Sequence, residues 1–149
     1  MKLVEMVSSI LRRKGREVFS LPPHASVYDA IEMMADKHVG ALLVISEGKL
    51  VGVISERDYA RKVILKGRAS KETRVDEIMT RSIITVGPEH RVDECMRIMT
   101  DNRIRHLPVM EGEKVLGIIS IGDLVNWIIS AQEQAIDQLE NYITGKYPA

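Results

Sequence analysis

Residues 52–58 read GVISERD and residues 117–123 read GIISIGD. Each stretch is an apolar, β-rich run that passes into a helix, and the two begin 117 − 52 = 65 residues apart. Both carry a serine and an aspartate three residues apart: Ser55 with Asp58, and Ser120 with Asp123. A Ser-x-x-Asp at a helix start has a local explanation, because serine and acid satisfy the free amides of the first turn. The same atoms also suit a ligand clamp written twice.

The repetition extends outward from these junctions. A shift of 65 residues superposes Val18–Ile64 on Ile83–Ile129 without a gap. Pro23 meets Pro88, Val27 meets Val92, Met34 meets Met99, and Gly52 meets Gly117. Such self-similarity marks two copies of one structural unit. Each unit opens with a short β-rich segment, VFSL or IITV. An amphipathic helix follows, on Val27, Ala30, Ile31, Met34 and Ala35 in the first copy and on Val92, Cys95, Met96 and Met99 in the second. Two strands joined by a tight polar turn come next, ALLVISEGKLVGVI and HLPVMEGEKVLGII, and then a second helix. The order β-α-β-β-α is therefore written twice, an α/β (α+β) class. Neither half buries much core alone, so the two should pack as one globule. The boundaries read from the sequence are an N-terminal helix at 1–15, a first repeat at 16–66 and a linker at 67–77. A second repeat at 78–130 and a C-terminal helix extension at 131–149 follow. The first of these helices carries Leu3, Met6, Val7, Ile10 and Leu11 at helical spacing. The last continues through Ile128, Ile129, Ile136, Leu139 and Ile143, more helix than the repeat needs. A second copy of the chain is the simplest partner for that surface.

The 149 residues fit one ordinary domain, and 45% hydrophobic with 28% charged residues is globular composition. Lysine plus arginine equals aspartate plus glutamate at 21 each. That balance argues against a general nucleic-acid binder, as does an aromatic content of only 4%. Cys95 is the single cysteine, so no intrachain disulfide forms, which suits a reducing compartment. No apolar run reaches the roughly 18–20 residues that span a bilayer. The N-terminus MKLVEMVSSILRRKGRE places its basic run after its apolar part, unlike a signal peptide. Cytoplasm is the expected setting.

Taken together, GALLVISEGKLVGVISERD in the first copy and IMTR and RIRHLPVMEGEKVLGIISIGD in the second resemble a tandem pair of CBS domains, a Bateman module. The resemblance covers roughly residues 16–130. It implies a pseudo-twofold disk with a central cleft, a homodimer, and binding of AMP, ADP, ATP, NAD(H) or S-adenosylmethionine. It further implies regulation of an associated enzyme or transporter, here a separate molecule because no catalytic domain is fused.

A carboxylate accepts two hydrogen bonds, which suits the 2′ and 3′ hydroxyls of a ribose. A helix start favours anions. The resemblance assigns that ribose-binding role to Ser55 and Asp58, and to Ser120 and Asp123. It also implies that each pocket takes its adenine wall from the other repeat. One pocket then joins Ser55 and Asp58 to Ile83, Thr85, Arg105 and His106. The other joins Ser120 and Asp123 to Phe19, Ser20, Val39, Gly40 and Ala41. The pockets differ: RIRH at 103–106 stands where the first copy has HVGA. Arg103 and Arg105 alternate on an extended chain and so face one way. Arginine's planar fork suits phosphate, which favours the Asp58 pocket for a phosphate-rich ligand. The Asp123 pocket takes a neutral end or stays empty.

Cys95 aligns with Ala30 on the apolar helix face and reads as a core thiol. His24, His38, His90 and His106 show no metal-ligand spacing. No GxGxxG or GxxxxGK[ST] loop is present, and RRKGR at 12–16 reads as a basic loop. No nucleophile–base constellation stands out, so the expectation is a regulatory binding module with no catalytic cofactor. The alternative is a ligand-free structural or docking dimer module.

Overall fold

The computed structural model of the protein describes residues 5–15 and 17–144. Leu3, Arg16 and residues 145–149 of the expected helices and loop lie outside the described residues. The elements run α1 (Val7–Lys14), β1 (Ser20–Leu21), α2 (Val27–Lys37), β2 (Ala41–Ser46), β3 (Lys49–Ser55) and α3 (Glu56–Tyr59). A π turn (Ala60–Ile64), a 3-10 turn (Ser70–Glu72) and α4 (Val75–Ile78) follow. The second half is α5 (Val92–Asn102), β4 (His106–Glu111), β5 (Lys114–Ser120) and α6 (Ile121–Ile143).

The repeat is visible in the first helix and the hairpin of each half. The α2 helix starts at Ser26, whose hydroxyl accepts the Asp29 amide at 3.1 Å, and buries Val27, Ala30 and Met34. Its counterpart α5 buries Val92, Cys95 and Met99. Both helices end on a left-handed residue, His38 at φ 57° and Arg103 at φ 54°. The β2–β3 hairpin pairs Ala41 with Ser55, and β4–β5 pairs His106 with Ser120. The first β segment forms β1, which lies parallel to β2. In the second repeat IITV contributes only a parallel bridge from Val86 to Val109. The reason is Pro108. Its counterpart Leu43 donates its amide to the Phe19 carbonyl at 3.2 Å, and proline has no amide hydrogen to give.

Two cores result, and each borrows a segment from outside its own repeat. Val75, Ile78 and Met79 pack with Leu21, Met34 and Ile54 of the first repeat, although the sequence boundaries put residue 75 in the linker. Val7, Ile10 and Leu11 of α1 pack with Val92, Leu107 and Trp127 of the second repeat. The two borrowed segments are themselves equivalent, at a shift of 75 − 7 = 68 residues. The Val75 amide donates to Ala25 and the Val7 amide to His90, each at 2.8 Å. Likewise Asp76 bonds to Pro23 and Ser8 to Pro88, each at 3.0 Å.

The helices that follow the hairpins differ. In the first repeat Leu65 donates to Ala60 at 3.0 Å, an i-to-i+5 bond that opens a π turn. In the second, α6 runs unbroken for 23 residues and continues past the core. Ile136, Leu139 and Ile143 are 55%, 60% and 73% exposed along that extension.

Candidate functional site

Both Ser-x-x-Asp motifs form capping boxes. Ser55 Oγ accepts the Asp58 amide at 3.2 Å, while Asp58 Oδ2 accepts the Ser55 amide at 3.0 Å. In the second repeat the matching distances are 3.1 and 2.8 Å. The local explanation for the motif therefore holds in both copies. What differs is the ground in front of each carboxylate.

Asp58 and Ser55 lie on a cleft of about 360 Å³ between the repeats. Asp58 is only 9% exposed, and its Oδ1 also meets Thr80 Oγ1 at 3.4 Å and Lys62 Nζ at 3.1 Å. The opposite wall brings in Ile83, Arg103, Arg105 and His106, all expected from the sequence to face Asp58. Arg103 reaches the cleft as the left-handed cap of α5 rather than from an extended chain. Thr85 is exposed and is not among the lining residues; Ile84 takes part instead. Gly40, assigned by sequence to the other pocket, lines this cleft and abuts His106.

The sequence reading missed Arg57 and Arg61, which add two guanidiniums to this cleft, and Thr80 and Ser82 on its rim. Arg57 Nη1 donates to the Arg103 carbonyl at 2.7 Å, tying the α3 start to the far repeat. An i, i+4 arginine pair, Arg57 and Arg61, beginning two residues after the clamp serine was the available signal. The cleft thus sets a carboxylate against Arg57, Arg61, Arg103 and Arg105. Such a site accepts hydroxyl hydrogens at one end and phosphate oxygens at the other. Burial holds the His106 pKa below its ordinary value, Lys14 and Arg105 lower it further, and Asp123 opposes them. His106 is therefore neutral at neutral pH.

The expected second site is not gathered in the same way. Asp123 lies on a groove of about 260 Å³ with Lys14, Arg13, Asn126 and Trp127. Ser20, Val39 and Ala41 do not line it; Ser20 is exposed, Ala41 is buried, and Val39 packs on the first core. Lys14 Nζ donates to Asp123 Oδ2 at 2.7 Å and to the Ile118 carbonyl at 2.8 Å. Among the described residues no cluster of histidine, cysteine and carboxylate side chains is placed to hold a metal ion. No helix among them is long and apolar enough to cross a membrane.

Two equivalent repeats packed around a shared cleft define a paired-repeat module. The chain belongs to the CBS-domain family, whose profile matches residues 7–65 and 75–130. It is 41% identical over 150 aligned positions to the CBS domain-containing protein CBSX3, mitochondrial, of Arabidopsis thaliana, covering 95% of this chain and 73% of that one. A solved CBS-domain protein from Burkholderia ambifaria superposes with a TM-score of 0.83 at 49% identity, over 86% of this chain and 96% of that chain. Another solved CBS domain pair, in complex with 5-methylthioadenosine and S-adenosyl-L-methionine, superposes with a TM-score of 0.77 at 25% identity. That match covers 86% of this chain and 98% of the other.

Proposed function

We propose that the protein is a regulatory module that binds an adenine nucleotide in the cleft between its repeats and signals ligand state to a separate partner protein. The observation that carries this reading is the meeting of Ser55 and Asp58 with Arg103, Arg105 and His106 across one cleft. Asp58 takes the ribose hydroxyls, and the arginines take the phosphates. AMP, ADP, ATP and NAD(H) all fit that division of labour. S-adenosylmethionine, bound by a solved relative, shares the adenosine but carries a cationic sulfonium that the arginine wall opposes. The reading assigns no cofactor and no turnover to the cleft. A cytoplasmic setting goes with it, supported by a buried, unpaired Cys95.

Ligand binding stabilises only the conformations that bind, which is how the module would bias a partner. The test is thermal unfolding with AMP, ADP, ATP, NAD, NADH and S-adenosylmethionine, beside Asp58→Ala. A ligand at 100 times its Kd adds about 2.7 kcal/mol. The reading requires that a nucleotide raises the melting temperature of the wild type and not of a folded Asp58→Ala protein.

A second reading rests on α6, where Ile136, Leu139 and Ile143 stand exposed. Here the module docks through that helix, as a homodimer, with an empty cleft. Truncation after Ser130 would then abolish assembly, and no nucleotide would shift the melting temperature.

A further inference from the structure

We infer that Lys14 shuts the second Ser-x-x-Asp clamp, leaving one open nucleoside clamp and one held closed by the protein's own first helix. The inference rests on reading the Asp58 clamp as a nucleoside site.

The borrowed segments allow the two clamps to be compared atom by atom. In the first repeat, the Thr80 amide bonds to the Val53 carbonyl at 2.8 Å and its hydroxyl reaches Asp58 at 3.4 Å. Ile118 and Asp123 are the 65-residue counterparts of Val53 and Asp58. There a single ammonium, that of Lys14, makes both contacts at 2.8 and 2.7 Å. The exchange follows from backbone conformation. After Met79 the chain runs extended and pairs with β3, so its own amide and a short hydroxyl make the tie. The matching helix α1 stays helical to Lys14, and only a long side chain reaches back.

The two ties leave different ground in front of the acid. Residue 82 stands three positions past Met79 as Lys14 stands three past Leu11, and Ser82 on the cleft rim has neither charge nor reach. Lys62 also pairs with Asp58, at 3.1 Å, yet Asp58 lines the cleft and Lys62 does not. Lys14 itself lines the groove at Asp123. A ribose there meets the Lys14 ammonium in the groove itself, whereas at Asp58 the Lys62 ammonium stands off the cleft lining.

The experiment counts adenosine, which needs no phosphate wall, bound per chain by equilibrium dialysis for the wild type, Lys14→Ser, Asp58→Ala and the double variant. Lys14 is exposed, and serine copies the residue at position 82, so folding is retained. One equivalent on the wild type, two on Lys14→Ser, none on Asp58→Ala and one on the double variant are expected. Equal stoichiometry in Lys14→Ser and the wild type overturns the inference, as do two equivalents on the wild type. The nucleoside reading at Asp58 has its own signature of failure, an empty wild type. A site gained by Lys14→Ser would support the closed clamp even then.

Discussion

Met79 lies across Gly52 on β3, its Cγ 2.9 Å from where a Cβ on residue 52 would stand. Leu11 covers Gly117 on β5 in the same way, with Cδ2 at 2.8 Å. The shift of 68 residues that relates Leu11 to Met79 and the shift of 65 that relates Gly52 to Gly117 thus meet in one packing contact. Adding a methyl group forces the Met79 stem, not merely its tip, to move. Gly52→Ala is expected to cost about 1–3 kcal/mol by overpacking, read from the midpoint of urea denaturation.

The two capping serines separate fold from ligand. Ser55→Ala and Ser120→Ala each remove a cap, and each should cost about 0.5–2 kcal/mol. Only Ser55→Ala should also reduce the stabilisation given by ATP, because only Ser55 borders the open cleft. Denaturation with and without ATP tells the two effects apart.

The arginine wall should discriminate by ligand charge. Arg105→Ala is expected to weaken ATP by about 1.4 kcal/mol, roughly tenfold in Kd, and adenosine hardly at all. Titration calorimetry with both ligands, at low and at raised salt, checks this. Both arginines at 103 and 105 are exposed, so salt should shrink the difference.

His106 makes stability depend on pH. Its folded pKa lies below the ordinary histidine value because burial disfavours the cation. Below about pH 6.5 the unfolded chain therefore takes up the proton first, and stability falls as pH drops until the folded pKa is passed. Above that window the group contributes no pH dependence. His106→Gln should flatten this part of a melting-temperature profile against pH.

Cys95 is fully buried on α5, and burial pushes its thiol pKa up to about 11, with Glu94 and Asp93 adding to the rise. The thiolate is the reactive form, so the folded protein should resist a disulfide reagent at pH 8. In denaturant one thiol per chain should react at once.

Much of this arrangement was legible in the sequence because period and repetition report directly on burial. The Val27–Met34 and Val92–Met99 stripes predicted α2 and α5, and the two hairpins fell where the polar turns put them. The Asp58 side of the cleft followed from the repeat and the family resemblance together. The roles of the α1 and α4 segments did not. Their 68-residue relation is out of step with the 65-residue repeat, so the shift that aligns the repeats does not bring Val7, Ile10 and Leu11 onto Val75, Ile78 and Met79. Backbone hydrogen bonds such as Val7 to His90 fix the match. The Lys14 contact with Asp123 was hidden for the same reason, being 109 residues long in sequence. Pro108 was visible, but its missing amide matters only against a partner strand.

The exchange of segments also sets an order of events during synthesis. When residue 66 leaves the ribosome, the first repeat is complete as a stretch of sequence, yet its core still lacks Val75, Ile78 and Met79. The helix α1 is made well before Val92, Leu107 and Trp127, its packing partners, and waits for them. A nascent chain paused between the repeats would hold Val7, Ile10 and Leu11 with nothing to cover them. The second core closes only once Trp127 has met α1.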